Sequence, residues 1–417
     1  MATELHDEPV VARVATETGR ARVVLVHEPG TELLSALLWP EEGSFAATFD
    51  SDVASREHRT YCEALADRDI EVISVREALR GRDDLARRAA PLLHYEAREG
   101  GSAPPVPQDI VDRLGFRDVV RILLEHPIVV SGSVSNDPAL VSRPLSNLYF
   151  TRDPLIATDR GVVLGRFKRP VRRPEVDLMR LVLEAIGVEP RYQVTDPGVL
   201  EGGDFVAAGD YALLGVGART NDDAVRQLTT GAGAAALGYP HLAVVRDPED
   251  GPALLQQQMH LDTYFNLVGT KVCLVEASRI GIGVPPAAGP GTAEDGASWR
   301  RVPRVDVYAK GPDEDYLPVR DATGVPFPDF LRDHLRVQAV PLTFEDQDMY
   351  GCNVLCLRDM AVLGSTGRDQ EQVHDRQLWE YERSLAAAGV DAELLDFSEI
   401  RKGYGANRCM TQVLVRE

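Results

Sequence analysis

One pattern returns four times along this chain and restricts what it can become: a polar or charged residue, an apolar strand, a tight turn, then a second apolar strand. It runs through NLYFTRDPLIATDRGVVLGRF from Asn147, GDFVAAGDYALLGVG from Gly203, HLDTYFNLVGTKVCLVEA from His260 and CNVLCLRDMAVLG from Cys352. The two ends supply a fifth hairpin if ARVVLVHEPG from Ala21 pairs with CMTQVLVRE from Cys409. Between hairpins, PEVDLMRLVLEAIG from Pro174 and EQVHDRQLWEYERSLAAAGV from Glu371 space their apolar residues by three and four, as amphipathic helices do. Such a recurrence predicts strand-strand-helix-strand units arranged in a ring.

Two stretches interrupt the repeat. Across residues 76–137 the strand pattern vanishes, and REALRGRDDLARRAAPLLHYEA and QDIVDRLGFRDVVRILLEH have helical spacing, which predicts an inserted helical subdomain. Residues 1–75 and 138–417 then form the ring. The segment GIGVPPAAGPGTAEDGAS from Gly281 has too few apolar anchors for an element and is expected to be a mobile surface loop.

Charge and cysteine usage narrow the surroundings. With 45 basic against 65 acidic side chains the formal charge is -20, which disfavours nucleic acid and anionic membrane as partners and favours a cationic ligand. The same acidity also serves plain solubility. The start, MATELHDEPVVARVATETG, lacks the basic flank and apolar run of a signal peptide, and no stretch approaches the roughly 18 apolar residues of a membrane span, so a cytoplasmic protein is expected. Cys62, Cys273, Cys352, Cys356 and Cys409 make an odd set without CxxC spacing, suiting a reducing compartment. Cys352 and Cys356 bracket an apolar run and are expected to pack.

In a ring of repeats the hairpin mouths converge on one axis, and chemistry-bearing residues stand at them. Asp153 follows NLYFTR, Glu201 and Asp204 sit in EGGD, His260 and Asp262 sit in HLDT, and Cys409 opens the last strand. Singly, each has a plain structural reading. A histidine before a strand can satisfy a backbone group, EGG is a common turn in which glycine supplies backbone freedom, and Asp153 before Pro154 can start a turn. Together they outnumber what acyl transfer needs, because extra carboxylates would oppose an oxyanion. A guanidinium reverses that requirement: it is planar, permanently charged and matched by several carboxylates accepting paired hydrogen bonds. Its charge would also favour the thiolate of a neighbouring cysteine.

NLYFTRDP, EGGD, HLDT and the C-terminal RCM, in this order, resemble the signature segments of arginine deiminase, a family within the guanidine-modifying enzymes, and the likeness runs from LVHEPG to Cys409. The resemblance implies an α/β fold: a five-bladed pseudo-symmetric α/β propeller of ββαβ repeats with a helical insertion. It implies no metal and no organic cofactor, and a homo-oligomer is the expected assembly. By position, Cys409 matches the nucleophile and His260 the general acid and base. Asp153 and Asp262 match the carboxylates that grip the guanidinium, and Glu201 a third acid that orients the histidine. Asn147, Arg172 and Arg219 match residues that hold the substrate α-carboxylate. Asp204 matches a further site residue, with a role confined to the EGGD turn as its alternative.

The sequence departs from the family in places. Tyr404 stands five residues before the cysteine, where the family usually has a loop arginine, and either stacks on the substrate or fills the gate. Thr411, Gln412 and Val413 replace a proline-containing strand start, and FDSDV near Asp50 is what survives of an acidic FDD segment. The expected activity is hydrolysis of free L-arginine to L-citrulline and ammonia. The alternatives are the same chemistry on a modified guanidino acid, amidino transfer releasing ornithine, and a silent arginine-binding protein.

Overall fold

The structure, a computed structural model, describes residues 9–38, 40, 45–80, 82–97, 107–131, 139–247, 259–283, 302–366 and 373–417. Each of the four sequence hairpins folds as an antiparallel pair whose second strand accepts a third strand in parallel after a crossover. Leu155–Thr158 pairs with Gly161–Leu164, which takes Tyr192–Gln193 after the helix Arg173–Ala185. Phe205–Ala208 pairs with Tyr211–Val216, which takes His241–Arg246. Phe265–Gly269 pairs with Val272–Glu276, which takes Gln338–Leu342. Leu355–Arg358 pairs with Ala361–Thr366, which takes Asp391–Asp396 after the helix Val373–Ala387. The termini complete the same pattern: Gln412–Arg416 runs antiparallel to Ala21–Val26, which takes Glu71–Ser74 in parallel after the helix Ser51–Ala66.

The hairpin strands are buried on both faces, as in Leu155–Thr158 and Val272–Glu276, so they read as continuous apolar runs rather than alternating ones. Their turns are two residues long where the backbone allows it; Gly209, at φ +73°, takes the left-handed conformation that closes Ala208 onto Tyr211. The second unit is extended by Arg304–Lys310, antiparallel to His241–Arg246.

Residues 76–137 are not purely helical, contrary to the sequence expectation. His94–Ala97 runs parallel to Pro127–Ser131, which pairs antiparallel with Ala139–Ser142 just beyond the boundary. These short strands flank amphipathic helices whose period dominates the sequence there. Phe116–Glu125, one of those helices, buries Val119, Val120 and Leu123 in the same core as Leu178, Met179 and Val182 of the helix Arg173–Ala185. Of the proline- and glycine-rich stretch, residues 284–301 lie outside the described residues.

Residues 9–20 belong to no hairpin but lace across the sheets. Arg13 N donates to Leu414 O, Val14 N to Thr158 O and Glu17 N to Ala207 O, joining the fifth, first and second units. This path delivers the Glu17 carboxylate to the interior, where it is 2% exposed.

Candidate active site

The hairpin mouths do converge on a cavity of about 350 Å³. Asn147, Asp153, Arg172, Arg219, His260, Tyr404 and Cys409 line it. Asp153 lies two residues ahead of its strand, Asp262 and Cys409 three ahead of theirs. A second residue at the two-ahead position is Asn353, in the fourth hairpin, which also lines the cavity. The sequence reading passed over it as the flank of a packed strand.

Local closeness explains the glycines of EGGD. A Cβ on Gly202 would lie 2.0 Å from Arg152 O, and one on Gly203 would lie 2.6 Å from the His260 ring. They are required by close approach rather than by a left-handed backbone, which corrects the sequence argument. The turn can therefore press Glu201 against His260.

Cys409 is held by Asn353 and faced by acid. Its sulfur accepts from Asn353 Nδ2 at 3.1 Å and stands 3.9 Å from Asp262 Oδ2. Burial, and then the charges of Asp262 and Asp153, push the thiol well above its ordinary range, so it rests protonated. His260 Nε2 lies 2.9 Å from Glu201 Oε2, and its Nδ1 3.9 Å from Asp153 Oδ1. Burial alone would lower the imidazole, but Asp153, the Glu201 hydrogen bond and Asp204 raise it from 6.5 to about 9. For Glu201, burial works upward and is outweighed by the His260 hydrogen bond and charge, bringing it down to about 2. The pair is an imidazolium-carboxylate at neutral pH.

Asp153 and Asp262 each have one oxygen already engaged. Asp153 Oδ2 accepts from Arg172 Nη1 at 2.8 Å, and Asp262 Oδ2 from Arg408 Nη1 at 2.8 Å. The other oxygen of each, Oδ1, is buried and has no hydrogen bond among the described residues. Arg408, 0% exposed, also donates from Nε to Glu17 at 3.0 Å and from Nη2 to Phe205 O at 2.7 Å. Glu17 in turn accepts from Arg152 at 2.7 Å, and Arg416 approaches at 4.0 Å. Three guanidinium groups outweigh the cost of its burial and hold it down at about 2. Neither Glu17 nor Arg408 was legible as a site support, because a buried ion pair leaves no periodic trace in sequence.

Arg172 is more committed than expected. Of its five N–H groups, Nε and one on Nη2 bind Glu175, another on Nη2 reaches Asn147 O at 3.4 Å, and one on Nη1 holds Asp153, leaving one. Its guanidinium also stacks on Phe167 at 4.1 Å. Arg219 keeps more capacity: Nη2 touches Met259 Sδ at 3.2 Å, and Nε is 3.9 Å from Glu201. Arg169, not singled out from sequence, completes a cationic end to the cavity; burial and then Arg219 and Arg172 lower its pKa.

Asp204, Glu201 and Asp262 are not among the residues that line the cavity but stand behind it, and the Asp204 contacts are those of the turn. Oδ2 accepts from Thr220 Oγ1 at 2.6 Å and Oδ1 from Leu261 N at 2.9 Å, tying EGGD to the HLDT turn. Among the described residues no group of three or more His, Cys, Asp or Glu side chains is placed to hold a metal ion.

A family model described as arginine deiminase matches residues 122–280 and 338–416, more than half of the chain. An arginine deiminase of Listeria welshimeri is 24% identical over 451 residues, covering 97% of this chain and 98% of that protein. One from Metamycoplasma hominis is 28% identical over 278 residues, covering 61% and 64%. Among solved structures, a mutant of dimethylarginine dimethylaminohydrolase from Pseudomonas aeruginosa complexed with citrulline superposes with TM-score 0.51 at 16% identity, covering 94% of this chain and 99% of that one. The product-bound N-terminal domain of ArgZ, a cyanobacterial arginine dihydrolase, gives TM-score 0.51 at 13% identity, covering 94% and 97%. These structural likenesses establish an α/β fold with mixed sheets.

Proposed function

The chain belongs to the arginine deiminase family, and from that membership we propose that it hydrolyses the guanidinium of free L-arginine to L-citrulline and ammonia through a thiouronium on Cys409. The observation that carries this reading is the cavity itself: a thiol between Asp262 and Asn353, an imidazolium between Glu201 and Asp153, and arginines at the other end.

The guanidinium enters against Asp153 Oδ1 and Asp262 Oδ1, the buried oxygens that lack hydrogen bonds. Burial and then the charges of Asp262 and Asp153 keep the free thiol protonated; the substrate's positive charge beside Cys409 offsets them, so the thiol releases its proton to solvent on binding and the thiolate forms. The sulfur adds to the guanidinium carbon, and the His260 imidazolium gives its proton to the departing nitrogen, which leaves as ammonia. Neutral His260 then takes a proton from water, the hydroxide adds to the same carbon, and collapse expels the sulfur, which takes up the hydroxyl proton and returns to the thiol as citrulline forms. Arg219, with Arg169 and the last N–H of Arg172, receives the α-carboxylate, and Asn147 borders it.

The same reading takes the five like sheets as blades of a propeller around the cavity, supported by their shared pairing pattern. It takes residues 76–137 as the insertion and a cytoplasmic homo-oligomer as the working form. No described helix is long and apolar enough to cross a membrane.

Incubation with L-arginine and assay of ammonia, citrulline and ornithine tests the activity. Ammonia with citrulline is expected. Ornithine would indicate amidino transfer, and none of the three products would contradict arginine hydrolysis.

A further inference from the structure

Two segments far apart in sequence, residues 45–50 and 398–405, meet beside Cys409, and one carboxylate outside the cavity fastens them. Phe45 from the first and Gly403 and Tyr404 from the second line the cavity. The second passes close to the thiol: a Cβ on Gly405 would lie 2.9 Å from the Cys409 Cβ, and one on Gly403 would overlap the Tyr149 hydroxyl. The first packs on the same tyrosine, for Phe45 stacks on Phe49 with ring centres 5.2 Å apart and lies 6.2 Å from Tyr149. Backbone bonds join the two, Ala46 N donating to Lys402 O at 2.7 Å and Asp50 N to Glu399 Oε2 at 2.7 Å.

The helix Ser51–Ala66 supplies the fastening. Asp50, the first aspartate of FDSDV, caps its start by accepting from Asp52 N at 2.9 Å and Val53 N at 3.0 Å. Glu57, buried on the same helix, turns its carboxylate to the head of the second segment. Its Oε1 accepts from Ser398 N at 2.7 Å and Ser398 Oγ at 3.0 Å, its Oε2 from Ile400 N at 2.9 Å, and Glu399 N lies 3.1 Å from both. These are three successive N–H groups at the start of the 3-10 helix Ile400–Gly403, where a helix has no acceptors of its own to offer. An acceptor-only carboxylate suits a set made only of donors, and bonds to a charged acceptor are roughly twice as strong as neutral ones. Glu57 itself is not among the residues that line the cavity.

We propose that Glu57 is a positioning residue for substrate binding: through residues 398–405 it holds Tyr404 and Phe45 closed beside Cys409, so the free protein already rests in the form that encloses a guanidinium. The inference rests on the hydrolytic reading for its substrate and on the Glu57 hydrogen bonds for its geometry. A protein that binds well only when closed loses affinity in proportion to the closed fraction. Bound substrate then holds the cover shut, and the chemistry proceeds as before. The signature of Glu57 is therefore a change in KM without a matching change in kcat.

The test compares the wild type with Glu57→Gln and Ser398→Ala, measuring kcat and KM for L-arginine and, without substrate, the rate at which iodoacetamide alkylates the Cys409 peptide. Glu57→Gln keeps the shape but turns an amide NH2 toward backbone donors; it should raise KM about tenfold, leave kcat within about twofold and speed alkylation of Cys409 about tenfold. Ser398→Ala removes the hydroxyl bond alone and should move KM and alkylation in the same direction by about twofold. A lower unfolding temperature with KM and alkylation unchanged makes Glu57 a support of the fold only and overturns the proposal, as does a fall in kcat at constant KM. An unmoved Ser398→Ala overturns it even where Glu57→Gln does not fold. A wild type that yields no ureido product overturns the hydrolysis, and the alkylation rates then decide on Glu57 by themselves.

Discussion

Asn353 and Cys409 hold one another twice: the Asn353 Nδ2 group donates to the Cys409 sulfur at 3.1 Å, and the Cys409 N–H donates to Asn353 Oδ1 at 3.1 Å. Ala406 N adds a second bond to that Oδ1 at 3.2 Å, so the amide has no freedom to turn. A neutral donor is thereby fixed on the sulfur, favouring the thiolate once substrate binds. Asn353→Ala removes a hydrogen bond to a developing charge worth roughly 1.5–3 kcal/mol, so kcat should fall about 10- to 100-fold with KM little changed. Steady-state kinetics read this directly. An unchanged kcat would show that the amide only packs the turn.

Glu17 should act on the site from a distance. It is the shared acceptor of Arg152 and Arg408, with Arg416 at 4.0 Å, and Arg408 in turn holds Asp262. Glu17→Gln strands buried guanidinium groups and should cost about 3–5 kcal/mol of stability. The surviving fold should bind arginine less well through a displaced Asp262, and Glu17→Asp should recover part of both losses. Denaturant unfolding with matched KM measurements checks this; wild-type stability in Glu17→Gln would refute the account of the hub.

The His260–Glu201 pair predicts a pH window. His260 is raised from 6.5 to about 9, so its stabilisation is complete below pH 6.5 and is lost as pH rises through 9. Glu201 is lowered from 4.5 to about 2, so its share is complete above pH 4.5 and is lost as pH falls through 2. The stability gap between wild type and His260→Gln should therefore narrow by about 1.4 kcal/mol per unit as pH rises between those two histidine values. Thermal unfolding across that range measures it, and a constant gap would mean the imidazole is neutral in the folded protein.

Much of this was legible in the chain because repetition writes itself in sequence. Four hairpins, the pairing of Ala21–Val26 with the C-terminal strand, and the polar residues at the hairpin mouths follow from a pattern that recurs. What escaped was decided in three dimensions. Asn353 precedes its strand as Asp153 does, so comparing mouth positions across all four hairpins would have found it. Arg408 read as an ordinary neighbour of a cysteine, since nothing local announces that Glu17 will be threaded in from the other end of the chain. Asp204 read as a site acid because its partners, Thr220 and Leu261 N, meet it only after two turns come together. The strands His94–Ala97 and Pro127–Ser131 were hidden between helices whose period overrode theirs.

The central claim is a covalent bond between Cys409 and the guanidinium carbon, and trapping that species tests it most directly. Because His260 serves both the loss of ammonia and the attack of water, the adduct is sought in the wild type: acid quenching during turnover of arginine should leave an adduct on the Cys409 peptide, its mass increased by arginine less ammonia. Cys409→Ser should show no adduct and less than about a hundredth of the wild-type rate. Citrulline production by Cys409→Ser above that level, with no adduct on the wild type, would contradict the mechanism.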